Sequence, residues 1–225
     1  MVLAAVRTPP YNLVISEVDD EAAVDALANE LAGDNLPGIL GPAQHAGAFA
    51  TRWCAANGRM ARLAMSERIF GLTTVRRPSA PPPGGIRRAA PVDRPLVISW
   101  YEAFTREALP DAPWADVGEQ VDRRLAEGGI YLWEHGEPVS MVVAGSRTPN
   151  GCRIGPVYTP PMHRRRGYAS ACVAAVSQAQ LDAGRRFVFL FTDLANPTAN
   201  HIDQAIGFEP VRDVDAWQFE DPESG

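Results

Sequence analysis

The chain has 225 residues, 46% of them hydrophobic, enough for well-buried cores in one large domain or two small ones. Its formal net charge of -6 argues against a nucleic-acid binder, which usually presents a basic face. No apolar run reaches the roughly 18 residues of a transmembrane helix, so no membrane association is expected.

The opening M-V-L-A-A-V-R-T-P-P is too short for a signal peptide and has no basic start. Residues 2–6 form an apolar run that reads as a strand, and 11–15 read as a second after the Pro9-Pro10 break. A chain that opens in mid-strand suggests a missing upstream part or a reduced first domain. Residues 19–32 read as a helix: Asp19 or Asp20 caps it, Val24, Leu27, Ala28 and Leu31 face one way, and Gly33 ends it. Residues 36–42, L-P-G-I-L-G-P, read as a loop, and 46–58 as a second helix with Phe49, Trp53 and Cys54. Residues 61–75 are expected to form two extended segments separated by a turn near Ser66 and Glu67. The run P-S-A-P-P-P-G-G at 78–85 is the clearest linker, because its composition favours an extended spacer. It places a domain boundary between 1–77 and 86–222.

The second segment opens with a short strand at 85–89. Asp93 is expected to cap the next helix, with Pro95 in its first turn, and that helix carries Leu96, Val97, Trp100, Phe104 and Leu109. Residues 114–127 read as another helix, ended by Gly128-Gly129. Residues 130–134 and 138–144 make a hairpin about Gly136-Glu137, and Asn150-Gly151 makes a turn, since Asn-Gly takes positive φ easily. A strand follows at 152–158. The almost wholly apolar run 187–192 should be a central, buried strand. A helix runs from 196 to about 206, and Gly207-Phe208 leads into the last strand.

Residues 154–183 carry the chemistry. An apolar strand is stopped by Pro160 and Pro161. A helix begins near Tyr168, with Ala169, Cys172, Val173 and Val176 on one face and Gly184 as its stop. The short loop between holds His163, Arg164, Arg165, Arg166 and Gly167. Three of the chain's 21 basic residues stand there side by side, a local anion-binding spot on an acidic chain. A helix start offers unpaired N–H groups and a favourable dipole to a phosphate, and Gly167 has no Cβ to hold one away.

The element order and two motifs resemble the GNAT N-acetyltransferase superfamily over about 86–219. Arg164-Arg165-Arg166-Gly167-Tyr168-Ala169 is similar to its Q/R-x-x-G-x-G/A signature, in the context of a strand ending V-Y-T-P and an Ala-rich helix. F-T-D-L-A-N-P-T-A-N followed by I-G-F-E-P-V resembles its second, Asn-containing signature. The resemblance implies an α/β (α+β) fold: a central mixed, mostly antiparallel twisted sheet with a parallel splayed pair, flanked by helices on both faces. It implies acetyl-CoA as cosubstrate and no metal. Its pyrophosphate would lie over the backbone N–H groups from about Arg165 through Arg166, Gly167, Tyr168 and Ala169 to Ser170, with the arginine side chains, Arg164 among them, nearby, and its pantetheine arm would pair with the backbone of Val157, Tyr158 and Thr159. Asn196 and Asn200 would touch the pantetheine or the nucleotide end. The acceptor, a small-molecule or peptide amine, would attack the thioester directly.

One position departs from the family. Asp203 stands where a tyrosine usually protonates the leaving thiolate. Either burial raises its pKa, or another group or unaided departure serves, or the protein binds acyl-CoA without effective catalysis. Glu102, Glu107 and Glu134 are the carboxylates to inspect as general base, with Glu134 taken as the catalytic candidate beside Asp203. Residues 1–77 resemble a degenerate or partial GNAT half, which would alternatively serve as an interaction surface covering the acceptor cleft or making a homodimer.

Other chemistries lack their motifs. Cys54, Cys152 and Cys172 are odd in number with no C-x-x-C spacing, which reads as reduced thiols in a cytoplasmic protein. The four histidines form no ligand pair at helical spacing. No nucleophile elbow, P-loop or dinucleotide fingerprint is present.

Overall fold

The computed structural model describes residues 3–78, 80–108, 116–145 and 148–222; the side chains of 197–201 are outside the description. Residues 1, 2, 79, 109 and 114, which fall within the expectations above, also lie outside the described residues. The chain divides into two compact units, one of residues 1–69, 192–196 and 211–225, the other of 70–191 and 197–210.

In the first unit, β1 (Ala5–Val6) pairs antiparallel with β2 (Leu13–Ile15). Helix α1 (Ala22–Glu30) then returns the chain to β3 (Gly38–Pro42), which is parallel to β2. A helical crossover of this kind is what a parallel pair requires. Helix α2 (Ala43–Asn57) follows at once, because Pro42 takes an extended φ of -50° and ψ of 131° and turns the chain into the helix. Val24, Ala28, Phe49, Ala50 and Trp53 form the core with Leu13, Ile15 and Ile39. Residues 38–42 are therefore a strand, and only 36–37 are left as the expected loop. β3 binds the C-terminal strand β10 (Glu209–Glu220) antiparallel, from Pro42 opposite Val214 to Gly38 opposite Gln218. Residues 61–75 also differ from expectation. Up to Leu72 they form one continuous strand, β4 (Met60–Leu72), with no turn at Ser66-Glu67. Ser66 instead donates to Asp215 at 2.7 Å, and Arg68 donates to both oxygens of Asp213 at 2.5 and 2.8 Å. Those partners on β10 hold the polar middle of the strand extended.

The second unit is built on β5 (Gly85–Arg88), β6 (Ile130–His135), β7 (Glu137–Gly145), β8 (Gly151–Tyr158) and β9 (Phe187–Asp193). The first four pair antiparallel in sequence order, and β8 pairs parallel with β9. Strict alternation buries both faces of the central strands. Ile130, Leu132, Met141 and Val143 face α3 (Arg94–Ala108) and α4 (Val117–Ala126), which contribute Val97, Trp100 and Val121. Tyr131, Trp133, Val142 and Ala144 face α5 (Tyr168–Asp182), which contributes Cys172, Val173 and Val176. Helix α6 (Pro197–Ile206) adds Ile206 to that second core. The unit is thus a mixed, mostly antiparallel sheet with one parallel pair and helices on both faces, as the resemblance implies.

Two local expectations change. Asp93 ends a short 3-10 turn (Pro91–Asp93), and its carboxylate accepts from the Ala90 N–H at 2.7 Å. It also binds Arg87 Nη1 and Nη2 at 2.7 and 2.9 Å, so it ties β5 to the start of α3. The run 78–85 is not a free spacer at its end: the Pro83 carbonyl accepts from the Trp133 indole at 3.0 Å. The compact units also divide differently from 1–77 and 86–222, since residues 211–225 belong with the N-terminal unit through the β3–β10 pairing.

Candidate functional site

The pairing of β8 sets the geometry. On one side its register with β7 runs Met141–Tyr158, Val142–Val157, Ala144–Ile154 and Gly145–Arg153. Gly155 and Pro156 together oppose Val143, a bulge that bends the strand. On the other side β8 pairs with β9 only from Gly151–Phe187 to Arg153–Phe189. Beyond that point the two parallel strands no longer pair among the described residues, while β8 continues to Tyr158. This is the splay between parallel strands that the resemblance implies.

The end of β8 is anchored from below. Ser140, wholly buried on β7, donates to the Tyr158 carbonyl at 3.2 Å and shares a 2.8 Å hydrogen bond with the Thr159 hydroxyl. A short 3-10 turn (Pro161–His163) then leads to the arginines. Arg165 has a φ of +60°, and Gly167 a φ of +79°. The pair of left-handed residues turns the chain sharply into α5. The first N–H to find a carbonyl is that of Ala171, on Gly167 at 3.0 Å. The N–H groups from Arg165 to Ser170 donate to nothing among the described residues. Arg165, Arg166 and Gly167 are exposed beside them. This is the anion-binding arrangement of a helix start.

The named side chains do not all face that arrangement. Tyr168 is buried at 4% exposure, with its hydroxyl 2.8 Å from His135 Nδ1, so only its N–H is available. Arg164 is turned away to other partners: Nε donates to the Thr159 carbonyl at 2.9 Å and Nη2 to Glu107 Oε2 at 2.6 Å. Its guanidinium also lies 5.8 Å from the Tyr158 ring centre. Burial, and then the Glu107 charge, raise the Tyr158 pKa, which keeps the phenol protonated. Ala169 and Ser170 are half-buried in the first turn of α5.

Of the carboxylates, Glu107 stands beside Tyr158 and Arg164, and Glu102 is exposed on α3. Glu134 is bound by Arg87 Nε, and Arg87 is shared with Asp93. Those two hydrogen bonds raise the Arg87 pKa, Asp93 first, and Arg87 holds Asp93 well below the usual carboxylate range. Glu134 is therefore part of a clamp between β6, β5 and α3, a different setting from the general-base role expected of it. Asp203 is buried at 8% exposure in α6, and its carbonyl accepts from the Phe208 N–H at 3.0 Å. Asn196 is exposed in the first compact unit and donates its N–H to the Asp193 carbonyl at 2.9 Å. The side chain of Asn200 lies outside the described residues.

Sequence reasoning missed Ser140, although a serine within the apolar run V-S-M-V-V was a signal that a buried hydroxyl has a partner. Among the described residues no group of three or more His, Cys, Asp or Glu could hold a metal, and no helix is long and apolar enough to cross a membrane.

Comparison with known proteins adds the family. The model of the Acetyltransferase (GNAT) family matches residues 95–208. No curated protein matches the chain. Among solved structures, a GCN5-related N-acetyltransferase from Sphaerobacter thermophilus superposes with a TM-score of 0.67 at 17% identity, over 96% of this chain and 76% of that one. One from Kribbella flavida gives 0.64 at 16% identity, over 99% and 87%. A GNAT-family acetyltransferase from Colwellia psychrerythraea gives 0.60 at 11% identity, over 89% and 71%. At these identities the structures speak for the fold, and the family match, which spans just over half of the chain, speaks for descent. Splayed strands, bare helix start and family match agree, and the chain belongs to the GNAT acetyltransferase family, whose shared chemistry is acyl transfer from acetyl-CoA.

Proposed function

We propose that the protein is an N-acetyltransferase that moves the acetyl group of acetyl-CoA to a primary amine of a small-molecule or peptide acceptor by direct attack. The observation that carries this reading is the row of unengaged N–H groups from Arg165 to Ser170, reached directly from a strand whose edge is released beyond Arg153. A pyrophosphate suits the N–H groups and the helix dipole, and an extended arm suits a free strand edge.

Acetyl-CoA supplies the acyl group, activated as a thioester. Arg165 and Arg166 neutralise the pyrophosphate, and bare Gly167 lets it approach the backbone. The N–H groups of Tyr168, Ala169 and Ser170 donate to it. The backbone of Val157, Tyr158 and Thr159 aligns the arm, and an N–H near Val157 polarises the thioester carbonyl. The family pattern assigns cofactor contacts to Asn196 and Asn200 as well. The amine attacks only when neutral, so a carboxylate or a water chain takes its proton. Glu107, held by Arg164 through Oε2 alone and standing beside the Tyr158 that ends β8, is placed for that task, whereas Arg87 ties Glu134 into the clamp with Asp93. No cysteine is placed to carry the acetyl group: all three are buried, and burial pushes the Cys172 thiol up to about 12.

A second reading, an acyl-CoA-binding module without turnover, is favoured by buried Asp203 at the position of the family's tyrosine. One assay separates them: free thiol is followed while the protein meets acetyl-CoA and a panel of primary amines. Thiol release with an amine supports the transferase. Acetyl-CoA binding without release from any amine supports the module, and no binding removes both. Under the transferase reading Asp203→Tyr leaves turnover unchanged or lower, whereas a rise would mean that the native chain lacks its acid.

A further inference from the structure

We infer that Arg164, the first residue of the arginine loop, is a positioning residue that fastens the C-terminal end of α3 to the end of β8, and that phosphate charge is met by Arg165 and Arg166 alone. The inference deepens the proposed acetyl-CoA site and rests on it. Three observations carry it. The guanidinium is already committed at both ends, Nε to the Thr159 carbonyl at 2.9 Å and Nη2 to Glu107 Oε2 at 2.6 Å. Its guanidinium carbon lies over the Tyr158 ring, 5.8 Å from the ring centre. The groups it joins are themselves held: Ser140 bonds the Tyr158 carbonyl and the Thr159 hydroxyl, and the Tyr158 ring packs 6.1 Å from that of Trp100 on α3.

A guanidinium used this way is a bracket with three contacts, a geometry a lysine does not reproduce. It spans 57 residues of sequence between Glu107 and Arg164. The helix that carries Glu107 and the loop that would receive the pyrophosphate thus share one side chain. Glu107 keeps one oxygen, Oε1, with only a 3.5 Å contact to the Tyr158 hydroxyl. The bracket therefore presents that oxygen in a fixed place rather than neutralising the whole carboxylate. Arg165 and Arg166 are exposed and have no such commitments among the described residues.

The test is calorimetric titration of acetyl-CoA into the full chain and its variants, repeated at several salt concentrations, with thermal unfolding of each. R165Q/R166Q is expected to raise the acetyl-CoA Kd at least tenfold and to flatten its salt dependence. The charge-neutral pair R164Q/E107Q is expected to leave the salt slope unchanged and to raise Kd only a few-fold, well short of R165Q/R166Q, while lowering the melting temperature. The melting-temperature losses of R164Q and E107Q should not add in the double variant, and R164K should not restore the wild-type value. The inference is overturned if R164Q/E107Q weakens acetyl-CoA as much as R165Q/R166Q does, or if the two losses add. If the wild-type chain binds no acetyl-CoA, the proposed function fails, and the unfolding cycle still decides whether Arg164 serves Glu107.

Discussion

Gly167→Ala separates the two duties of the glycine at the start of α5. Gly167 has a φ of +79° and ψ of 1°. An added Cβ would meet only Pro82, its Cδ at 3.8 Å and Cγ at 3.9 Å, which is ordinary contact. The folding cost is therefore backbone strain alone, about 1–2 kcal/mol for an L-residue in the left-handed region. The stiffer unfolded chain offsets about 0.4–1 kcal/mol of it. A net loss of about 1 kcal/mol lowers Tm by about 2–4 °C in a chain of this size. Binding should suffer more. The methyl intrudes where a pyrophosphate oxygen must reach the backbone, and losing one hydrogen bond to a charged group costs about 1.5–3 kcal/mol. That is at least a tenfold rise in the acetyl-CoA Kd. Gly184→Ala is the control: a φ of +88° at the other end of α5 with nothing within 4 Å gives the same strain away from the loop. Calorimetry and thermal unfolding of both variants make the assay. Equal falls in Tm with unchanged acetyl-CoA affinity in both would refute the reasoning and leave Gly167 a plain turn residue.

Asp93→Asn should cost about 1–3 kcal/mol at pH 7, because it breaks the pair between buried Asp93 and half-buried Arg87. The Asp93 pKa is lowered in the fold, so its stabilisation is present above the unfolded value of about 3.9 and is lost as pH falls through the folded pKa. Urea unfolding at pH 7 and near pH 3 should show the gap between wild type and variant closing in acid. Ser140→Ala should cost about 1–2 kcal/mol and raise the KM for acetyl-CoA, since the end of β8 loses its anchor; a fall in Tm with an unchanged KM would contradict the second half. Trp133→Phe removes the donor to the Pro83 carbonyl. Limited proteolysis should then cut within 78–85 several-fold faster, and an unchanged rate would mean that this bond does not hold the segment.

What was legible in the sequence was legible because the cause was local. The arginine loop, its glycine and the Ala-rich helix lie in one unbroken stretch, and the hairpin of β6 and β7 announces itself by a turn between two apolar runs. Strand β3 was hidden because L-P-G-I-L-G-P is written in residues that usually break structure. Gly38 is there for a partner 179 residues away: a Cβ would lie 2.1 Å from the Trp217 carbonyl oxygen. Strand β4 looked interrupted at Ser66-Glu67 because its polar partners, Asp213 and Asp215, sit on the last strand. The site divides the same way. The N–H groups at the helix start follow from the strand-loop-helix pattern, whereas the commitments of Arg164 to Glu107 and of Glu134 to Arg87 need the fold.

The most direct measurement of the central claim is a titration of acetyl-CoA into the native chain alongside the R165Q/R166Q variant. One-to-one binding to the native chain that weakens at least tenfold in the variant and with added salt is the result predicted by a pyrophosphate seated on residues 165–170. No binding by the native chain, or equal binding by both proteins, would contradict it.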